Sequence, residues 1–314
     1  MLKKLFLPVG MLIVIALSFL YPAPGVMMKG MGLNNLLIVA IFLVCGWQTD
    51  VDNLRYDHRM GLIFVAGAVL TLGVAPWLAV GLTRVLRIAE LPAIGLIVMS
   101  AVPPTLSSGI VMTANAGGNV FLSLSLTIGY NLLGVVTLPL MLTWCLSGDA
   151  AVSTQPATMF FNLLALVVQP FFAGFIFQRV FRLRPPSWLG YVPSLCVLLL
   201  LLNFFSGSQG VLRSYPLGML ALSGLGSLVL HAMLMALMWF GGRAMRFPLA
   251  DCKAMIFTGA SKTVTITLAT LAILGVGEGL AVVPCLVFYF VQMIVDSMLA
   301  ARMGAESAEK ELGS

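Results

Sequence analysis

The stretch Val102–Asn119, VPPTLSSGIVMTANAGGN, decides how this chain is read. It begins halfway along an apolar run, 91–113, yet opens with two prolines and follows them with hydroxyl side chains. Pro103 and Pro104 each lack an N–H, and each ring clashes with the preceding turn. Carbonyls around Ala101–Pro104 are thereby released from helical hydrogen bonding. At membrane depth such backbone is tolerated only inside protein or beside a watery cavity. Thr105, Ser107 and Ser108 add donors and acceptors at the break, and Thr113 follows on the same segment. A lone proline would read as an ordinary kink, its neighbouring hydroxyls bonded back to their own helix. A Pro-Pro-Thr-x-Ser-Ser cluster mirrored by a second break reads as a site.

Membrane depth itself follows from composition. Of 314 residues, 60% are hydrophobic and 9% charged, where a soluble domain carries about 25% charged residues. That excludes a soluble enzyme and a nucleic-acid binder; the surrounding partner is the lipid bilayer. Ten apolar runs stand out, near 5–21, 31–47, 60–83, 91–113, 119–146, 157–178, 188–205, 215–241, 250–274 and 279–301. Each is close to the roughly 20 residues that a spanning helix needs. The net charge of +6 sits at the ends of these runs. Lys3, Lys4, Arg55, Arg59, Arg179, Arg182, Arg184, Arg243, Arg246, Lys253, Arg302 and Lys310 fall on one side and Lys29, Arg84, Arg87 and Arg213 on the other. The excess marks the cytoplasmic side, which predicts a multi-pass protein of the cell's inner (plasma) membrane with both termini in the cytoplasm. The opening apolar run is expected to be a retained first span. The five cysteines lie in or beside apolar runs without metal-ligand spacing and read as packing residues.

The two halves resemble each other. Arg84-x-x-Arg87 ends the third run before the broken segment, and Arg243-x-x-Arg246 ends the eighth before FTGASKTVTITLATLAILG, Phe257–Gly275. Five spans separate the copies, an odd number, so the repeat is expected to be inverted across the membrane, as in secondary transporters. This divides the chain into a first repeat, 1–150, a second, 151–303, and a cytoplasmic tail, 304–314. The ninth span has no proline; its break is expected at Gly259, with Thr258, Ser261 and Thr263 around it. Lys262 lies deep in this span, beyond comfortable snorkelling, and intramembrane ionisable residues are functional candidates. It is expected to be paired, hydrated or reversibly deprotonated. Asp296 is the expected partner, with Gln292 one turn earlier on the same face. His231, in the eighth span, reads as a satisfied core histidine.

The ten-span plan, the two breaks and PPTLSSGIVMTANAGGN followed by VFLSLSLT resemble the bile acid:sodium symporter superfamily, in particular the SBF-like, member-7-type carriers. Those carriers often have PTTxSSxxxxTxxxxGN here and GxxKS in the ninth helix; this chain has GASKT there. The resemblance extends from about Leu33 to Ala301. It implies an all-α polytopic membrane protein of ten transmembrane helices in two inverted five-helix repeats. A core and a panel domain, broken helices 4 and 9 crossing in the core, and alternating access come with it. In sodium-coupled relatives, hydroxyls on the helix after the Gly-Asn pair help bind sodium, and Ser123 and Thr127 occupy matching positions. Relatives also carry an acid and a Gln-Asn pair at the ninth-helix crossover. Here the stretch reads Phe257 to Lys262 with no acid, and a cation stands where the Asn would be.

The departure predicts that the Lys262 ammonium replaces a bound sodium and attracts an anionic substrate group. The expected function is secondary transport of small organic anions such as bile-acid or steroid conjugates and other amphipathic carboxylates. Transport would be sodium-independent or proton-coupled. Two alternatives stand beside it: a sodium:organic anion symporter with a degenerate second sodium site, and a regulatory membrane protein of calcium homeostasis. No cofactor is expected; Na+ and H+ are the candidate coupling ions. An intramembrane enzyme fits poorly, because the sequence offers neither a Ser/His dyad, nor paired aspartates, nor a zinc motif.

Overall fold

The computed structural model describes residues 2–31, 33–49, 58–105, 108–146, 156–181, 183, 185–276 and 279–312. No strand occurs among them. The first half runs α1 (Leu2–Leu20), α2 (Ala23–Gly30), α3 (Asn34–Gln48), α4 (His58–Ala68), α5 (Ala75–Val85), α6 (Glu90–Ala101), α7 (Ser108–Asn115) and α8 (Val120–Cys145). The second runs α9 (Pro156–Leu163), α10 (Gln169–Phe181), α11 (Val192–Gly207), α12 (Gln209–Ser214), α13 (Leu217–Ala244), α14 (Leu249–Gly259), α15 (Val264–Ile273) and α16 (Gly279–Leu312). Among the described residues, seven helical segments are long and apolar enough to cross a membrane: Arg59–Val85, Val120–Cys145, Phe160–Phe181, Trp188–Gly207, Leu217–Ala244, Leu249–Ile273 and Gly279–Ala305. Three shorter apolar helices, Val9–Leu20, Asn34–Gln48 and Glu90–Ala101, fall on the other three apolar runs. The chain is a polytopic membrane protein. Arg55, Arg182 and Arg184, three of the basic residues assigned to the cytoplasmic side, lie outside the described residues.

Among the described residues, two spans contain a π-helical turn, Val69–Val74 and Leu164–Val168. Each is followed two residues later by a proline, Pro76 and Pro170. A proline inside a helix has no N–H to give to the preceding turn and crowds its carbonyl. Widening that turn relieves the clash and leaves carbonyls without helical donors. One of these wide turns holds Thr71, which is fully buried.

Local geometry recurs between the halves. The span ending at Val85 closes with Leu86 N–H to Leu82 O and Ile88 N–H to Thr83 O. The span ending at Ala244 closes with Met245 N–H to Gly241 O and Phe247 N–H to Gly242 O. Arg87 and Arg246 hold the left-handed position in these caps, with φ of 52° and 58°. Gly117 and Gly275, with φ of 66° and 71°, close α7 and α15 in the same manner.

The helices pack in two groups. α3 lies against α10 and α11, and α1 and α2 against α11. α13 lies against α14 and α16, α16 against α6, and α7 and α8 against α14. α15 touches both groups, meeting α3, α9 and α11 on one side and α6 and α16 on the other. The five cysteines are buried and unbridged.

Candidate ion and substrate site at the crossing of two broken helices

The prolines end α6 where the sequence places the break. Val102 is extended, Pro103 to Thr105 have no regular structure, and α7 starts at Ser108. The second break occupies Ala260–Thr263, directly after Gly259. The two breaks bond to each other: Thr263 N–H donates to Pro103 O at 3.2 Å. A Cβ on Gly109 would stand 2.7 Å from Phe257 O, so α7 and α14 approach backbone to backbone at a residue that must be small.

Lys262 is fully buried at this crossing. Its Nζ donates to Thr71 O at 2.8 Å, Thr71 Oγ1 at 3.0 Å and Val102 O at 3.1 Å. Three donors thus meet three oxygens, one carbonyl from the proline break and two atoms from the wide turn. Thr71 Oγ1 passes its own proton to Gly259 O at 2.5 Å. The Lys262 backbone is held as well, its N–H donating to Gln292 Oε1 at 2.7 Å and its O accepting from Gln292 Nε2 at 3.4 Å.

Asp296 is not the hydrogen-bond partner of Lys262, contrary to the sequence expectation. It meets His231 Nε2 through Oδ1 at 2.9 Å and Ser261 Oγ through Oδ2 at 3.4 Å. Register explains the difference: Gln292 already occupies the break's backbone, and Asp296, one turn further on, comes against α13. His231 is correspondingly only half satisfied, because its Nδ1 is buried without a partner.

A hydroxyl cluster sits beside the crossing. Ser123 Oγ lies 2.8 Å from Thr258 Oγ1, and Thr113 Oγ1 donates to Gly109 O at 2.7 Å and approaches Ser123 Oγ at 3.2 Å. Thr127 Oγ1 is buried and has no hydrogen-bond partner. Asn131 Nδ2, one turn beyond, donates to Thr127 O at 2.8 Å and to Pro104 O at 3.1 Å. Thr105 and Ser108 bond to each other through their hydroxyls. Ser107 lies outside the described residues. Among the described residues no group of three or more His, Cys, Asp or Glu comes together; the oxygens around the Lys262 ammonium are carbonyl and hydroxyl oxygens.

The chain matches the SBF-like CPA transporter family over residues 6–305. It belongs to that family. The match confirms the resemblance to the bile acid:sodium symporter superfamily. Among similar proteins is the probable sodium/metabolite cotransporter BASS4, chloroplastic, of Arabidopsis thaliana, 25% identical over 97% of this chain and 74% of that protein. Sodium/bile acid cotransporter 7-A of Xenopus laevis is 27% identical over 95% of this chain and 91% of its own. Sodium/bile acid cotransporter 7 of Mus musculus is 25% identical over 99% and 96%.

Within this carrier, sequence reasoning missed several participants. Thr71 looked like one more hydroxyl in an apolar run; the following Pro76 was the only hint of a turn that exposes its carbonyl. Lys253 and Arg59 were read as markers of topology alone. Lys253 Nζ donates to Ala116 O at 2.6 Å and Met303 O at 3.3 Å, at the end of α7. Asp251 accepts from Asn119 Nδ2 at 2.9 Å and pairs with Arg59. The signal that could have found this cluster is the Gly-Gly-Asn after the first break opposite an acid in the first turn of α14.

Proposed function

We propose that this chain is a secondary transporter of small organic anions, working by alternating access, with the Lys262 ammonium occupying the place that sodium-coupled relatives give to an ion. Transport is sodium-independent or coupled to protons. One observation carries the reading: Nζ sits among two carbonyls and a hydroxyl at the crossing of two broken helices. Carbonyl and hydroxyl oxygens are ligands that hard cations prefer, and here the protein supplies the cation itself. A fixed positive charge at that place repels sodium and draws an anionic group toward the breaks. The names of the relatives, sodium/bile acid and sodium/metabolite cotransporters, support an organic solute.

The architecture proposed with it is ten spans in two inverted repeats, 1–150 and 151–303, with a tail from 304. The recurring caps at Arg87 and Arg246 and the recurring glycines at 117 and 275 support the repeat. The two packing groups support a core carrying both breaks and a panel of α1, α3, α10 and α11. Both termini are placed in the cytoplasm, in the inner (plasma) membrane.

Melting of the purified protein in sodium chloride, against choline and potassium chloride, tests the coupling. A ligand at ten times its dissociation constant stabilises by about 1.4 kcal/mol. No sodium-specific rise is expected. A saturable rise would instead favour the sodium symporter, a second reading that draws on the unpaired Thr127 hydroxyl near Ser123. Saturable uptake of amphipathic carboxylates into proteoliposomes is expected; its absence across that class would overturn the carrier reading in favour of a regulator.

A further inference from the structure

His231 from α13 and Asp296 from α16 form a buried pair that the lysine tether does not use. Their side chains are 1% and 4% exposed, and Nε2 and Oδ1 lie 2.9 Å apart. On the far side of the imidazole, Nδ1 is buried and unpartnered, and Phe288 stands edge-on with ring centroids 5.3 Å apart. The other carboxyl oxygen, Oδ2, faces Ser261 Oγ at 3.4 Å. Ser261 has a single hydroxyl proton, and its shorter bond, 2.6 Å, donates that proton to Phe257 O. Oδ2 therefore lacks a full-strength donor, while the Ser261 oxygen keeps a lone pair free to accept one.

Counting protons gives the consequence. One proton occupies the Nε2–Oδ1 bond, whichever residue owns it, and the pair then carries one negative charge. Two acceptor atoms, Nδ1 and Oδ2, remain without a full donor. A second proton would supply one of those acceptors and leave the pair without net charge. We propose that the His231–Asp296 pair is a proton-binding site of this carrier, taking up one proton beyond the shared one and transmitting it to the ninth-helix break. The proposal rests on the transporter reading and names its coupling ion. Transmission is short: Ser261 faces Oδ2, and Gln292, one turn before Asp296, holds both backbone polar groups of Lys262. A carboxyl protonated on Oδ2 donates to Ser261, where a carboxylate can only compete for the proton that Ser261 gives to Phe257.

Other titratable side chains on the surrounding helices are engaged or stand at helix ends. The Lys262 ammonium is turned to Thr71 and Val102. On α14, Asp251 binds Asn119 and Arg59 of α4, Lys253 binds Ala116 O, and Cys252 faces Phe247 O. Cys285 of α16 gives its thiol to Gly95 and Ala281, and Tyr289 packs on Phe290. Cys196 on α11 is buried. Glu90 opens α6, and Arg84, Arg213 and Arg243 lie in the last turns of α5, α12 and α13, with Arg302 beyond the pair on α16.

The chain has two histidines, His58 and His231. Nitrogen-15 histidine labelling of the full protein carrying His58→Gln therefore leaves one ring to observe. The His231 ring signals are expected to shift with pH through a single midpoint belonging to the pair, and Asp296→Asn should abolish or displace that midpoint. Ring signals that stay constant across the range where the protein is folded would overturn the proposal, whether or not Asp296→Asn folds. In proteoliposomes, Asp296→Asn should lose at least about tenfold of the acceleration that an imposed pH gradient gives to uptake. Full acceleration in Asp296→Asn would also overturn it. If no anion is transported at all, the carrier reading fails, and the ring titration still decides the proton site.

Discussion

Thr71 binds the Lys262 ammonium through both its carbonyl and its hydroxyl, and the same hydroxyl donates to Gly259 O. Thr71→Val keeps the shape, removes one acceptor from the ammonium and leaves the Gly259 carbonyl without this donor. Unpairing buried polar groups costs about 1–3 kcal/mol, so the unfolding free energy is expected to fall by that amount, read as a lower denaturation midpoint. Thr83→Val is the control: its hydroxyl only returns to Val80 O of its own helix, and a change within about 0.5 kcal/mol is expected. Equal effects of the two substitutions would remove Thr71 from the tether. Sequence reasoning identified Lys262 because a lysine in an apolar run is conspicuous. It could not identify Thr71, because what matters there is a carbonyl, and every residue has one.

At the scale of elements, the breaks have different causes. The first is written in the prolines, whose rings forbid a continuous helix at Pro103 and Pro104. The second has no proline and is stabilised from outside, by Gln292 on the Lys262 backbone and by Pro103 O on the Thr263 N–H. Their crossing depends on Gly109. A Cβ there would meet Phe257 O, a backbone atom that cannot move alone. Gly109→Ala is expected to lower stability by about 1–3 kcal/mol and to slow transport, read by a melting curve and by uptake. Gly81→Ala, where an added Cβ meets nothing within 4 Å, should be neutral or stabilising by about 0.5–1 kcal/mol.

At the scale of the molecule, α15 packs against helices of both groups, and it leads directly out of the break that carries Lys262. A charge or hydrogen-bond change at the break therefore acts on a helix that contacts both groups. The proposed orientation is tested with Ser307→Cys on the proposed cytoplasmic tail. The five native cysteines are buried, so background labelling is low. A membrane-impermeant maleimide should react only when the cytoplasmic side is opened; reaction in intact cells would invert the topology.

The sequence alone determined that this chain lives in a bilayer, where its breaks fall, and which family it resembles. Those properties depend on local quantities: apolar run length, proline chemistry and a lysine too deep to snorkel. Tertiary structure decided the partners. Lys262 could not be assigned to Thr71 and Val102, nor Asp296 to His231, from one chain read in order. Each pairing joins segments far apart in sequence whose helical register and facing are set only by packing. A carboxylate and an ammonium on neighbouring spans invite pairing on paper. In the folded protein, one turn of helix sends them to different networks on either side of Ser261.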